Sequence, residues 1–296
     1  SQLIIRSWWR LVVPSLKAVM ANHGFSSVDL LYCDNPYQGF WPRIVRHRRF
    51  VFRVPDDLAG FPGAGHAVVD EQRRLASTAD RVVFAGHELR RRFSAVEDDR
   101  ALVIPNGVSI ETFAARGVRP AVFDGLRRPI AIYVGALDEW FDAPLLREVA
   151  RLRPDMTFVV VGPEGRGASR LGEAANLVRL GALPFEEVVG LLQHADVGLI
   201  PFDVRRCRRL IDAVHPLKLY EYMAAGLPVV TVNWAELEHL QPPVEVVEQD
   251  AQSFAAGIDR ALSQGVPLEK YQEFLAGASW QERLQPLFRY LDEELQ

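Results

Sequence analysis

Only two cysteines, Cys33 and Cys207, occur in the 296 residues. They supply neither a disulfide framework nor the paired short spacing of a zinc site, and they fit a reducing compartment. Both read as packing residues. No apolar run approaches the roughly 20 residues that cross a bilayer. Trp8, Trp9 and Arg10 interrupt the apolar start, so no signal peptide is expected. An excess of positive charge is missing too. The formal net charge of −4 argues against nucleic acid as a partner. Internal repeats and low-complexity segments are absent. The remaining composition, 49% hydrophobic and 24% charged, is that of a soluble globular protein, and the length suffices for two domains.

Helical periodicity marks residues 1 to 28 as one or two amphipathic helices, with Val12, Leu16, Val19 and Met20 as their apolar positions. Strands are expected at 28–33, 50–54, 81–85 and 101–104, with helices at 67–77 and after Gly86. The basic cluster Arg43, Arg46, His47, Arg48 and Arg49 precedes the second strand, as a solvated face or as an anion- or membrane-facing patch. Gly117, Pro120, Gly125 and Pro129 mark a linker. A second series follows: strands at 130–134, 157–161, 177–180, 196–200, 229–232 and 244–247, and helices at 143–152, 184–194, 251–263 and 280–291. Alternating strands and helices imply parallel sheets with crossover helices. The expected domains are 1–118 and 119–277, with 278–296 as a terminal helix packing back across their junction.

The densest signal runs from His215 to Val230. Pro216 opens a helix, Gly226 stops it, and Pro228 keeps it from resuming before a buried strand. Lys218 and Glu221, three apart, share one helix face near its N-terminus. That terminus carries partial positive charge and suits a phosphate. Lys218 adds a full charge, and Glu221 can accept hydrogen bonds from a sugar diol. A lone Lys–Glu pair, taken by itself, is more often a solvated surface pair.

The stretch resembles the nucleotide-sugar-binding segment of GT-B glycosyltransferases, in the form Pro-Leu-Lys-Leu-x-Glu-Tyr-x-Ala-x-Gly-x-Pro-Val. Ile104-Pro105-Asn106-Gly107-Val108 is similar to the family's domain-end turn, and Tyr133-Val134-Gly135-Ala136 to the opening of its donor domain. Asp196-Val197-Gly198-Leu199-Ile200-Pro201-Phe202 completes the series. The resemblance implies an α/β protein with two Rossmann-like domains facing a cleft, the N-terminal one shortened. It implies a metal-independent transferase of the hexosyltransferase type without cofactor. The donor would be a nucleotide-sugar, expected to be a UDP-sugar, and the acceptor a saccharide or lipid-linked saccharide. On that resemblance Leu183 lies against the nucleotide base and Phe202 near the donor. Pro216, Leu217 and Lys218 hold the diphosphate, and Glu221 holds the ribose.

The likeness extends to bacterial polysaccharide enzymes, among them the glucuronosyltransferase of xanthan assembly. There an acidic residue at a first-domain strand end serves as base. The matching piece, Phe52-Arg53-Val54-Pro55-Asp56-Asp57-Leu58, carries that role onto Asp56, with Asp57 as the alternative holder. A carboxylate at a strand end can take a proton from an acceptor hydroxyl; an aspartate there is also a common turn or cap residue.

Three departures stand out. The family's Glu-x7-Glu signature would put its first glutamate at Ala213. The arginine that many relatives carry after the glycine is absent from Ala136-Leu137-Asp138-Glu139-Trp140, leaving Arg205 or Arg206 either to supply the charge or to form a solvated loop. The strand and glycine-rich loop that usually open the first domain are not visible before Ser1, and the sequence lacks an initiator methionine, so the expectation is either a fragment or a reduced acceptor domain. A non-catalytic homologue acting as a partner or binding subunit, and a nucleotide-sugar epimerase, are the rival readings. The expected location is cytoplasmic, at the inner face of the cell membrane. Arg43, Arg46, Arg48 and Arg49, with Phe40 and Trp41, would meet anionic lipid if they share one face.

Overall fold

The computed structural model describes residues 8–115 and 117–295; the start of the helical stretch expected from residue 1 lies outside them. The chain divides into two compact units. One holds the chain up to Pro105, Ala213–His215 and the chain from Leu284 onward; the other holds Asn106–Asp212 and Pro216–Arg283.

In the first unit four parallel strands lie side by side in chain order: β1 (Ser27–Cys33), β2 (Arg46–Val54), β3 (Arg81–Phe84) and β4 (Ala101–Val103). Alternation along β2 splits its side chains between two cores. Phe50, Phe52 and Val54 pack with Val82, Phe84, Leu75 and Leu89, the last two from helices His66–Thr78 and His87–Arg92. Val51 points the other way and packs with Val83, Ile104, Leu287 and Tyr290. Helix Gln285–Leu295 therefore covers the second face, as a parallel sheet requires. The Arg81 guanidinium stacks 4.0 Å from the Tyr290 ring centre, and Arg49 pairs with Glu294.

Strand β2 begins at Arg46, four residues before the expected start, so most of the basic cluster is strand rather than loop. Period-two alternation puts Arg46 and Arg48 on one face and His47 and Arg49 on the other. Arg48 pairs with Asp29 at 3.4 Å, Arg49 with Glu294, and Arg43 lies 3.6 Å from buried Glu71. The four arginines therefore do not share one face, the condition on which their meeting anionic lipid depended.

The second unit holds a six-stranded parallel sheet: β5 (Ile130–Val134), β6 (Thr157–Val161), β7 (Leu177–Gly181), β8 (Val197–Ile200), β9 (Val229–Val232) and β10 (Glu245–Val247). Its order is β10-β9-β8-β5-β6-β7. The chain builds outward from β5 through β6 to β7, then returns to the far side of β5 with β8. That reversal is the switch point of a Rossmann-type sheet, where ligands gather outside the strand carboxyl ends. Residues ahead of β5 pack on helix Phe185–His194: Phe113 meets Phe185 edge-on at 5.6 Å, and Gln193 donates to the Phe113 carbonyl at 2.8 Å.

Candidate nucleotide-sugar site

Helix Leu217–Ala224 starts just after Pro216, whose φ of −82° and ψ of 103° turn the chain from extended to helical. The first N–H groups of a helix have no acceptors within it. Tyr222, fully buried, fixes this helix against β5 by accepting the Val134 N–H at 2.8 Å. One turn earlier, Lys218 is half-buried and lies near two rings. Its Nζ is 5.1 Å from the centre of Phe202 and 5.7 Å from that of Tyr133, within cation–π range. Tyr133 is the penultimate residue of β5 and Phe202 follows β8, so the lysine stands at the switch point.

Two glycines make room. Gly135 has a φ of 152°, and a Cβ there would lie 2.9 Å from Tyr133 Oη and 3.2 Å from Lys218 Cε. Gly162, at the end of β6, has a φ of 145°, and its Cβ would lie 2.1 Å from the Gly135 carbonyl oxygen. Backbone from β5 and β6 thus approaches more closely than any side chain allows.

Burial pushes the Lys218 ammonium down to about 8, against the opposing pull of Glu221. The Glu221 carboxyl is pushed up by desolvation and held back by Lys218. The two form a partly desolvated pair, each shifted toward neutrality. An anion arriving at Lys218 favours its charged form. Phe202 is buried and held edge-on against Trp234 at 5.2 Å. Leu217 is exposed, and Leu183, partly buried, lies two residues beyond β7. Adjacent strand ends therefore carry Leu183, Gly162, Gly135 and Phe202 in the order β7, β6, β5, β8. At roughly 4.8 Å per strand, that row matches an extended nucleotide in scale.

Behind Phe202, Asp203 caps the next helix by accepting the Arg206 N–H at 3.1 Å; it also takes Gln249 Nε2 at 3.2 Å and lies 3.7 Å from Arg170. Arg206 reaches Glu139 at 4.0 Å, and Arg166 reaches the same carboxylate at 3.9 Å. Of the two arginines proposed to replace the missing one, Arg206 turns toward the loop after β5. Arg205 engages Gln249 through its backbone N–H at 3.1 Å. Sequence reasoning missed the ring of Tyr133 as a wall of the lysine site, and Trp234 as the support of Phe202. Tyr133 was visible inside the motif; nothing local marks Trp234.

Asp56 belongs to the other unit, two residues beyond β2. It is partly buried, and desolvation raises its pKa against the pull of Arg53. Its neighbour is committed elsewhere: buried Asp57 accepts the Ala59 N–H at 3.1 Å and binds Arg92 at 3.0 Å. The adjacent aspartates are thus one structural cap and one partly desolvated carboxyl. Among the described residues, no group of three or more His, Cys, Asp or Glu side chains is placed to hold a metal ion, and no helix is long and apolar enough to cross a membrane.

Residues 128–264 match the family model of glycosyl transferases group 1. Over this segment, less than half of the chain, the sequence is similar to glycosyl transferases group 1 domains. The Bacillus subtilis protein named "Putative teichuronic acid biosynthesis glycosyltransferase TuaH" is 28% identical over 230 residues, which cover 74% of this chain and 57% of that one. The match thus spans little more than half of that relative. Among solved structures, sucrose-phosphate synthase from Thermosynechococcus elongatus superposes with a TM-score of 0.75 at 18% identity, covering 98% of this chain and 79% of that one. Anabaena HepE in complex with UDP-glucose superposes with a TM-score of 0.71 at 18% identity, covering 97% and 83%. These likenesses establish the fold: two Rossmann-like parallel sheets, similar to GT-B glycosyltransferases.

Proposed function

We propose that this protein moves a sugar from a nucleotide-sugar, a UDP-sugar, to a hydroxyl of a saccharide or lipid-linked saccharide. The reading rests above all on Lys218: a half-buried ammonium at a helix N-terminus, over the switch point of the sheet, with two glycines clearing backbone beside it. Support for the donor comes from HepE, whose structures hold UDP and UDP-glucose. Support for a polysaccharide acceptor comes from the relative named for teichuronic acid biosynthesis.

In this reading Leu183 meets the base, Glu221 the ribose, and Pro216, Leu217 and Lys218 the diphosphate. Asp56 takes the proton of the acceptor hydroxyl. The freed oxygen bonds to the anomeric carbon as the bond to the diphosphate oxygen breaks. The departing nucleotide gains negative charge, which the helix N-terminus and Lys218 stabilise. That arrangement supplies the positive charge without a metal. Calorimetry with UDP and GDP on the wild type and Lys218→Ala tests the reading; a wild type that binds neither refutes it.

One observation favours a second reading, a non-catalytic homologue that binds nucleotide-sugar. Ala213 stands where the family signature has an acid, and it is buried in an apolar cluster with Phe84 and Leu89. UDP binding with no donor turnover across a broad acceptor panel would establish it.

A further inference from the structure

Two of the arginines that fail to form a single face, Arg43 and Arg46, line a concave site instead. A cavity of about 720 Å³ opens in the first unit at the amino ends of β1 and β2. Lys17, from helix Leu16–Asn22, lines it with Arg43, Arg46 and His47. The hydroxyl-bearing Ser26 and Ser27 lie at the start of β1. Among the described residues, no carboxylate lines the cavity. Arg43 shares its charge with Glu71, 3.6 Å away. His47 Nδ1 is 2.9 Å from the Val45 carbonyl, which fixes the ring and leaves Nε2 as its other polar atom. Met20 and Ile44 add apolar wall.

We infer that this cavity binds a phosphate group. Three separate elements bring cationic side chains to one concavity, hydroxyl donors join them, and among the described residues only Arg43 of the lining cations has a carboxylate beside it, Glu71. Guanidinium, ammonium and hydroxyl groups are the donors that surround a phosphate's oxygens. The apolar wall suits a phosphate that carries a hydrocarbon. The cavity is distinct from the proposed reaction site: β2 runs from Arg46 to Val54, roughly 26 Å at strand spacing, before the chain reaches Asp56. A ligand here anchors or regulates the protein and does not enter the transfer reaction.

Two sources share this chemistry, a soluble phosphate and a lipid headgroup. The test follows the backbone N–H signals of Ser27, Arg46 and His47 by nuclear magnetic resonance while inorganic pyrophosphate is added to the full chain. These signals are local, so pyrophosphate bound at Lys218 does not mimic the result. Saturable shifts are expected, weakening with salt. The Lys17→Gln/Arg46→Gln variant should raise the apparent Kd about tenfold or more for each charge removed, with an unchanged melting temperature. A parallel arm measures co-sedimentation with vesicles of phosphatidylcholine with or without phosphatidylglycerol. Binding only to the anionic vesicles, lost in the double variant, identifies a lipid headgroup; local shifts without vesicle binding identify a soluble phosphate. If neither local shifts nor variant-sensitive vesicle binding occurs, the inference is wrong. An Arg46→Lys variant, which keeps the charge, guards against a folding artefact by retaining whichever binding is seen.

Discussion

The ammonium of Lys218 lies 5.1 Å from the centre of the Phe202 ring and 5.7 Å from that of Tyr133. An ammonium held near rings gains cation–π attraction but loses water, and here the loss dominates, since its pKa falls to about 8. Removing it should therefore not weaken the fold. Lys218→Ala is expected to keep or slightly raise stability to urea while weakening UDP binding by about 10- to 100-fold, as for the loss of a charge-assisted hydrogen bond. Calorimetry and urea melts on the same preparations check both halves. A stability loss above about 1 kcal/mol with unchanged UDP affinity would make Lys218 a packing residue.

The same shift sets a pH dependence. Unfolded, the lysine titrates near 10.4; folded and free of ligand, it titrates at about 8. Between those values the unfolded chain binds the extra proton, so this group's contribution to stability rises with pH across that window. Binding runs in the opposite direction. On the proposed reading UDP binds the charged lysine, so above about 8 its affinity should fall by up to about tenfold per pH unit, until the bound form also deprotonates. Calorimetry from neutral to alkaline pH on the wild type should show this slope, and Lys218→Ala should be flat. Equal slopes in the two proteins would place the titrating group elsewhere.

Most strands of both sheets were legible because their apolar runs are short and bounded by glycine or proline; Ile130–Val134 before Gly135 and Thr157–Val161 before Gly162 are cases. The early start of β2 was hidden because Arg46, His47, Arg48 and Arg49 look like loop, although alternation still seats them in a parallel ladder with β1. Helix Val204–Ile211 went unread for a similar reason. Its four arginines suggest solvent, and only Cys207, Leu210 and Ile211 turn inward. The terminal helix was read as one piece and is two, Trp280–Arg283 and Gln285–Leu295. At the candidate site, Lys218 and Glu221 were readable from local spacing. The rings around Lys218 were not. Tyr133 and Phe202 come from separate strand ends, and only the strand order brings both to Lys218; Trp234 then packs behind Phe202.

Gly135→Ala tests the close approach directly. A Cβ at 2.9 Å from Tyr133 Oη and 3.2 Å from Lys218 Cε must displace one of them, and the φ of 152° adds backbone strain. The expected cost is about 1–3 kcal/mol of stability. UDP affinity should also drop, because the lysine is the more mobile of the two neighbours. Thermal melting and calorimetry check this. A substitution that lowers stability and leaves UDP affinity intact would show that Tyr133 yields instead.

Arg81 and Tyr290 offer a test of the first unit that involves no ligand. The guanidinium covers the ring at 4.0 Å, and Tyr290 is buried with Leu287 against Val51 and Val83. Tyr290→Ala should cost about 3–5 kcal/mol, as for other large aromatic truncations in a core. Glu294→Gln, which weakens a half-exposed ion pair with Arg49, should cost no more than about 1 kcal/mol. Urea melts of the two variants should differ accordingly, and equal losses would mean that the helix is held by its charges rather than its apolar face.

The adjacent aspartates make the sharpest pair of opposed outcomes. Asp57 is buried, caps a turn through Ala59 and holds Arg92 at 3.0 Å. Asp57→Ala removes the carboxylate held by that guanidinium and removes the cap, so a loss of about 2–4 kcal/mol is expected. Asp56 has no such cap to lose, and its raised pKa means that burial disfavours its charge. Asp56→Asn is therefore expected to leave the melting temperature unchanged or raised. If Asp56 is the base, the same substitution should lower turnover of a UDP-sugar by about 10²- to 10⁴-fold while UDP affinity stays intact. The raised pKa also moves the acid limb of the wild-type kcat/KM profile above the ordinary carboxylate range, because only the ionised carboxylate accepts the proton. Stability curves, nucleotide calorimetry and a pH–rate profile separate the roles. Full turnover in Asp56→Asn would remove this residue from the chemistry, whatever Asp57 does to the fold.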